Sequence, residues 1–160
     1  MIKKEELILT QAWDKTFPKS EKVDHCKVTF VNRYGITLAS DLYIPKNAEG
    51  KLPAIAVCGP FGAVKEQCSG LYAQTMAERG FLTLAFDPSF TGESGGNVRY
   101  MASPDINTED FMAAVDFLSL CDKVDPARIG IIGHLRLGRY GTQHRCAGYS
   151  RQGNHSLHHV

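Results

Sequence analysis

The chain has 160 residues, of which 43% are hydrophobic and 22% charged, and its formal net charge at pH 7 is +1. These values predict one globular domain with a sizeable core, and they exclude a strongly basic surface for nucleic acid or anionic membranes. The five cysteines are odd in number and irregularly spaced, which favours reduced thiols and a cytoplasmic protein. No apolar run is long enough for a signal-peptide core or a membrane span.

The first part of the chain predicts a leader followed by a β-hairpin. Residues 1–22 form the leader, with a short helix expected over Glu5–Asp14. Val23–Val31 and Ile36–Ile44 alternate apolar and polar residues, as strands with one buried face do. Asn32–Gly35 lies between them and has the composition of a hairpin turn.

The middle of the chain alternates apolar strands with helices. Ala54–Cys58, Phe81–Phe86 and Arg128–Ile132 are nearly continuous apolar runs, which is typical of strands covered on both faces. Glu66–Arg79 predicts a helix ended by a glycine, and Asn107 predicts the cap of a second helix. This order predicts the α/β class: a doubly wound, mostly parallel sheet with the hairpin as an antiparallel edge.

Ligand sites in open α/β sheets lie at the carboxyl ends of the strands, so the loop Gly59–Gly62 is the first candidate. Pro60 has no N–H, and the backbone N–H of Phe61 is therefore the nearest candidate donor to an oxyanion. The two glycines would allow close approach of a substrate. The alternative is an ordinary glycine-rich turn between a strand and a helix.

A second candidate loop runs over Asp87–Gly96. Its Gly92-x-x-Gly95-Gly96 lacks the first glycine pair of a dinucleotide-binding fingerprint, and no helix opens directly after it. We therefore expect no phosphate and no cofactor here. The simpler interpretation is that Asp87 and Ser94 hold the loop through bonds between side chain and backbone.

The third candidate is the end of the strand in Arg128-Ile-Gly-Ile-Ile-Gly-His134. A strand that runs through Gly-x into a sharp turn is how a nucleophile elbow begins, so we expect a turn at Gly133. The nucleophile should stand two residues after that glycine. Leu135 occupies the position and has no nucleophilic atom, so we assign no catalytic residue.

Residues from about 23 to 133 resemble the α/β-hydrolase superfamily, in its branch near dienelactone hydrolases and X-Pro dipeptidyl-peptidase-like esterases. The run Val124–Gly133 is the most specific match, because it ends where such enzymes place their elbow. Asp87-Pro88-Ser89-Phe90 departs from the commoner Asp-x-Arg-Gly form. The other matching pieces are Val31–Ile36, Leu42–Pro45, Gly59–Gly62 with Lys65–Gln67, Ala85–Asp87, Gly92–Gly96 and Val115–Leu118.

The resemblance implies a Ser or Cys nucleophile, an acid and a histidine that together hydrolyse an ester or amide through an acyl-enzyme. The partner would be a small-molecule ester or amide, with no nucleic acid, membrane or metal involved, and the oligomeric state stays open. None of the three catalytic groups can be carried over, because Leu135 fills the nucleophile slot and no carboxylate follows Asp125.

The last segment, residues 134–160, differs in composition from the predicted domain, 23–133. It holds four arginines, five of the six histidines and no acid, whereas 17 acidic and 14 basic residues precede it. We expect a non-native or disordered tail. Alternatives are a non-catalytic binding module on the same fold, or a metal-binding tail that uses ligand-type residues with no recognised spacing, namely Cys146, His144, His155, His158 and His159.

A slip of the coding frame inside the His134 codon would explain the change in composition. Read from the second base of that codon, with third bases freely chosen, the tail can be decoded as Ile-Cys-Gly-Trp-Gly-Gly-Met-Ala-Leu-Asn. That text has an elbow-like cysteine, although tryptophan replaces the glycine of the strictest pattern. We therefore expect a truncated or frameshifted, inactive form of a hydrolase.

Overall fold

The computed structural model describes residues 5–135 and 143–148, with side chains described for residues 5–133. It contains two helices and six strands in the described part of the chain. Their order is β1 (Val23–Val31), β2 (Thr37–Pro45), β3 (Leu52–Cys58), α1 (Cys68–Ala77), β4 (Leu82–Phe86), α2 (Pro104–Ser119), β5 (Val124–Leu135) and β6 (Gln143–Gly148).

The strands form one mixed sheet in the order β1-β2-β4-β3-β5-β6. At its centre β3 runs parallel to both β4 and β5, while β1, β2 and β6 pair antiparallel to their neighbours. The central strands are continuously buried in β4 and nearly so in β3. This burial is what their unbroken apolar sequences predict for strands covered on both faces.

The two helices cover opposite faces of the sheet. Leu84, Phe86 and Ala56 pack with α2 in one buried cluster, whereas Val57 and Ala85 pack with α1 in the other. Alternate residues of one strand point to opposite faces, so both clusters are built from the same strands. The expected doubly wound α/β architecture is confirmed, and neither described helix is long and apolar enough to cross a membrane.

The predicted hairpin is confirmed with a well-satisfied turn. The Asn32 side chain accepts hydrogen bonds from the N–H groups of Tyr34 and Ile36, both at 3.0 Å. Gly35 has φ of +80°, in the left-handed region that glycine enters without strain. This turn fixes the register that pairs Val31 with Thr37.

Three local predictions were wrong. Residues 5–14 form no helix; the segment lies against the domain, where its polar groups bond to other elements. The second helix begins at Pro104 and not after Asn107, because a proline suits the first helical position, where no N–H is needed. The turn expected at Gly133 does not form, since β5 continues to Leu135 and pairs there with Gln143 of β6.

Candidate active site

The carboxyl ends of the three parallel strands lie level with one another. Cys58, the last residue of β3, pairs with Phe86 at the end of β4 and with Gly133 of β5. The loop from β3 to α1, residues 59–67, and the loop from β4 to α2, residues 87–103, therefore leave the same edge of the sheet. The two candidate loops predicted from the sequence, Gly59–Gly62 and Asp87–Gly96, are therefore neighbours. They lie beside the third candidate segment, the end of β5.

The loop after β3 carries the predicted oxyanion donor. A turn closes it, because the Ala63 N–H donates to the Pro60 carbonyl at 2.9 Å and Gly62 adopts φ of +84°. Phe61 lies at the tip with 67% of its surface exposed. Among the described residues, no group accepts a hydrogen bond from its N–H. The N–H is thus free to donate to a ligand oxygen, which is the role the sequence predicts.

Lys65 ends this loop and ties it to the neighbouring one. Its backbone N–H donates to Asp87 Oδ1 at 2.7 Å, and its Nζ donates to Asp87 Oδ2 at 2.9 Å. Both side chains are fully buried. The Asp87 carboxylate also accepts the Glu93 N–H at 3.0 Å, and Gly92 lies so close to it that any side chain there would collide.

The Lys65–Asp87 pair is the centre of a larger group, which we call the ion cluster: Lys27, Lys65, Asp14, Glu66, Asp87 and Glu93. Lys65 Nζ lies 2.7 Å from Glu93 and 2.5 Å from Glu66. Lys27, on β1, lies 2.8 Å from Glu93 and 3.1 Å from Asp14. The cluster therefore joins the N-terminal segment, β1 and both loops at the site.

Contacts with lysine ammonium groups lower the pKa of two carboxylates in the cluster. Burial alone would raise the pKa of Glu93, but hydrogen bonds from Lys27 and Lys65 outweigh burial and lower that pKa to about 2. The pKa of Asp14 is also lowered to about 2, against burial, by Lys15 and Lys27. Burial would lower the pKa of Lys65, but Asp87 and the other carboxylates raise it above its ordinary value. Glu93 and Asp14 are therefore ionised at neutral pH, whereas burial raises the pKa of Asp87 in spite of its contact with Lys65.

Oxygen atoms of Asp14, Glu66 and Glu93 lie within 4.8 Å of one another, a spacing that could hold a metal ion. However, the ammonium groups of Lys27 and Lys65 already contact these carboxylates. A cation would have to displace a lysine from its ion pairs. The arrangement is that of a salt-bridge network between lysines and carboxylates.

A second network, in which all the donors are neutral, holds the other side of the loop after β4. The Asp110 carboxylate of α2 accepts hydrogen bonds from Asn32 Nδ2 at 2.9 Å, from Ser89 Oγ at 2.7 Å and from the Ser89 N–H at 2.8 Å. All three residues are buried. Burial raises the pKa of Asp110, and the hydrogen bonds from Ser89 and Asn32 offset this rise only in part.

The loop after β4 is held as the sequence predicts. Ser94 Oγ donates to the Asp87 carbonyl at 2.7 Å and accepts the Ala39 N–H at 2.8 Å. Arg99 also closes the loop by donating to the Ser94 and Gly92 carbonyls. These contacts fill the loop with bonds between side chains and backbone, which confirms the structural interpretation of Asp87 and Ser94.

Two cysteines lie near the end of β3. Cys58 is buried, and burial raises the pKa of its thiol further above neutrality, so it is not a ready nucleophile. The Sγ of Cys68, at the start of α1, lies 3.8 Å from the position that a Cβ on Gly59 would take. Neither residue contacts an imidazole in the described part of the chain.

Leu135 lies on β5, level with Gln143 of β6, so the nucleophile position predicted from the sequence falls on a strand. Its side chain lies outside the described residues. The side chains of the proposed metal-binding tail also lie outside them, namely Cys146, His144, His155, His158 and His159.

Sequence reasoning missed the ion cluster. Lys65 and Glu93 are 28 residues apart, and Lys27 and Glu93 are 66 apart, so no local spacing joins them. Each residue alone resembles an ordinary surface charge. One signal was available: Lys65-Glu66 lies between an apolar strand and a helix, at a position where the chain turns back onto the sheet.

Comparison with known proteins places the chain in a family. The sequence pattern of the X-Pro dipeptidyl-peptidase (S15) family matches residues 34–138, about two-thirds of the chain. The chain belongs to this family. The match includes both loops at the candidate site and the end of β5, whereas Asp14, Lys27 and Asn32 precede it.

The chain is also similar to known proteins. PA2218 of Pseudomonas aeruginosa is 74% identical over 129 residues, and its crystal structure superposes with a TM-score of 0.78 at 73% identity. The superposition covers 79% of this chain and 40% of the PA2218 chain. The thiohydrolase apmlB of Arthrinium phaeospermum is 32% identical over 108 residues, 68% of this chain and 34% of that protein.

The fold is that of the α/β hydrolases. GrgF of Penicillium, described as an α/β hydrolase, superposes with a TM-score of 0.64 at 24% identity over 69% of this chain and 37% of GrgF. The chain spans 35% of the length of PA2218 and a similar share of apmlB. The described residues therefore correspond to the first part of an α/β-hydrolase domain.

Proposed function

We propose that this chain derives from a hydrolase that transfers the acyl group of a small ester, thioester or amide to water through an acyl-enzyme. The observation that carries the proposal is the register at the end of the sheet. Cys58 is level with Gly133, so the loop that bears the free Phe61 N–H leaves the sheet beside the strand that leads to position 135. The thiohydrolase name of apmlB supports the inclusion of thioesters.

In this reaction the Phe61 N–H would donate to the carbonyl oxygen as negative charge develops on it. A preorganised donor of this kind is worth about 10²–10³ in kcat, because it need not reorient during the reaction. A serine or cysteine at position 135 would form the bond to the acyl carbon while the leaving group departs with a proton. Water would then break that bond and release the acid.

The chain with Leu135 lacks the atom that forms the covalent bond. We therefore propose that it is an inactive form, and that a coding-frame slip within the His134 codon produced its last segment. With suitable third bases, the alternative frame places a cysteine at position 135. A gene whose bases cannot encode that alternative frame contradicts the slip, and sequencing across codons 130–160 decides the question.

The activity test compares this chain with a version whose reading frame is restored through the downstream codons. With p-nitrophenyl acetate, the chain with Leu135 should release no p-nitrophenol above a buffer control. The restored protein should hydrolyse the ester, and restored protein with alanine at position 135 should not. Equal hydrolysis by the alanine version would contradict the assignment of the nucleophile to position 135. Hydrolysis by the Leu135 chain would contradict the proposed inactivity.

A further inference from the structure

We propose that Lys65 and Asp87 are positioning residues that hold the Phe61 N–H at the place where an oxyanion forms. This inference rests on the proposed function and adds to it a device that fixes the donor. Neither residue would contact substrate; each would act through the loop after β3.

The loop has few supports of its own. Its backbone makes two turn bonds within the loop, from the Ala63 N–H to the Pro60 carbonyl at 2.9 Å and from the Gln67 N–H to the Val64 carbonyl at 3.0 Å. The Val64 N–H makes one long contact, 3.4 Å, to the Gln67 side chain. Phe61 itself is exposed and packs into no described core cluster. The position of its N–H therefore depends on how the two ends of the loop are fixed.

One end is fixed by β3. The other is fixed by Asp87 and by the Thr16 N–H, which donates to the Glu66 carbonyl at 3.0 Å. The carboxylate holds both the N–H and the Nζ of Lys65, at 2.7 Å and 2.9 Å. Contact at two atoms sets the orientation of the Lys65 backbone as well as its position. Because Asp87 directly follows β4, this contact locks the loop after β3 to the neighbouring parallel strand.

The chemistry of the pair favours one geometry. Two charges that are fully removed from water must stay close together with their remaining hydrogen-bonding atoms satisfied, or the free energy of the fold rises steeply. Asp87 meets this condition by accepting three bonds, and Lys65 by donating to three carboxylates. A one-ångström displacement of the donor can lower a catalytic rate about 10²-fold, so this rigidity has a use at the site.

The direct test measures backbone motion in the full chain by ¹⁵N relaxation. In the native chain the order parameter of the Phe61 amide should be near about 0.85, the value of rigid backbone. In Asp87→Asn it should fall below about 0.6, and the Ala63 amide should exchange its proton at least tenfold faster. Unchanged values at both amides would overturn the proposal.

Asp41→Asn is the matched control. Asp41 is equally buried and also faces a lysine, Lys15 at 3.1 Å, but it lies on β2. Its side-chain partners among the described residues, Lys15 and His25, lie outside the loop after β3, although Lys15 also bonds to Asp14. Its substitution should leave the order parameter of Phe61 unchanged. An equal fall in both variants would mean that general loss of stability, and not the Lys65–Asp87 contact, moves the loop.

Should Asp87→Asn fail to fold, Asp87→Glu carries the same test, because it keeps the charge but shifts the carboxylate by one methylene. The Phe61 order parameter should again fall, and an unchanged value would overturn the proposal. In the frame-restored protein, Asp87→Glu should lower kcat about 10–100-fold with KM within about twofold, since the donor acts mainly in the transition state. An equal rise in KM with kcat unchanged would contradict positioning.

These readouts separate the two proposals. If the restored protein is inactive while the relaxation result holds, the proposed function fails and the contact remains a structural lock. If the restored protein hydrolyses ester but the loop stays rigid and kcat stays constant in Asp87→Glu, the proposed function stands and the positioning role fails.

Discussion

The loop after β4 is held on its two sides by different chemistry. On one side Asp87 pairs with the fully buried Lys65 inside the ion cluster. On the other, Asp110 has only the neutral donors Asn32 and Ser89. Both carboxylates are completely buried, so the comparison shows two ways of satisfying a buried acid. An ion pair fixes the geometry strongly, but the loss of one partner leaves a buried, unpaired charge that destabilises the fold. Hydrogen bonds from neutral donors are weaker, and their loss destabilises the fold less.

The largest expected effect comes from removing the cation. Lys65→Met leaves Asp87, Glu66 and Glu93 without their shared ammonium group, and breaking a buried pair in this way costs about 3–5 kcal/mol. The free energy of unfolding from urea titration measures the loss. Lys46→Met is the control, because Lys46 is exposed and only 4.0 Å from Asp24, and it should cost at most about 1 kcal/mol. Similar losses in both variants would contradict the large contribution to the free energy of unfolding that we assign to the ion cluster.

A smaller effect is expected on the neutral side. Asp110→Asn turns one acceptor into a donor that faces the groups around Asn32 and Ser89, and one unsatisfied bond costs about 1–3 kcal/mol. Removing a buried charge without a cationic partner offsets part of that cost. The same urea titration should place this variant between native protein and Lys65→Met. A larger loss of unfolding free energy in Asp110→Asn than in Lys65→Met would contradict the expectation that the ion pair contributes more than the neutral donors.

The smallest effect is a pH dependence. Because the pKa of Glu93 falls from 4.5 to about 2 on folding, the carboxylate stabilises the fold above about pH 4.5, and the contribution is lost as pH falls towards 2. Glu93→Gln should therefore be less stable than native protein at pH 7 and should lose less stability between pH 5 and pH 2. Thermal unfolding at several pH values measures this difference.

The exposed Glu78 supplies the control for that series. Glu78→Gln should follow the native protein across the whole range of pH. A native stability that stays constant down to pH 2, or a Glu93→Gln variant with the native pH dependence, would show that Lys27 and Lys65 do not hold Glu93 in its ionised form.

Local patterns predicted much of the fold. The alternation in Val23–Val31 identified β1, and unbroken apolar runs identified β3 and β4, because these patterns report directly which faces are buried. The Glu5–Asp14 helix was wrong because bonds from this segment to distant groups outweigh its weak helical pattern; the Thr10 N–H, for example, donates to Glu93. The position of Phe61 on the site edge was predicted from strand order alone.

The part of the site that escaped prediction depends on long-range contacts. The sequence gives only a weak local sign that Lys65 is buried, because its distant partners Asp87 and Glu93 lie in the loop after β4. The extension of β5 past Gly133 was missed for a similar reason. Pairing with β6 keeps the strand extended, and that pairing joins segments whose composition differs sharply.

The central proposal is that this chain derives from an acyl-transfer enzyme whose nucleophile belongs at position 135. Peptide mass spectrometry after incubation with p-nitrophenyl acetate tests it most directly. The frame-restored protein, quenched early, should carry an acetyl group on the peptide that contains position 135, and the Leu135 chain should carry none there. A restored protein that hydrolyses the ester with its acetyl group on another residue, or an acetylated 135 peptide in both chains, would contradict the claim.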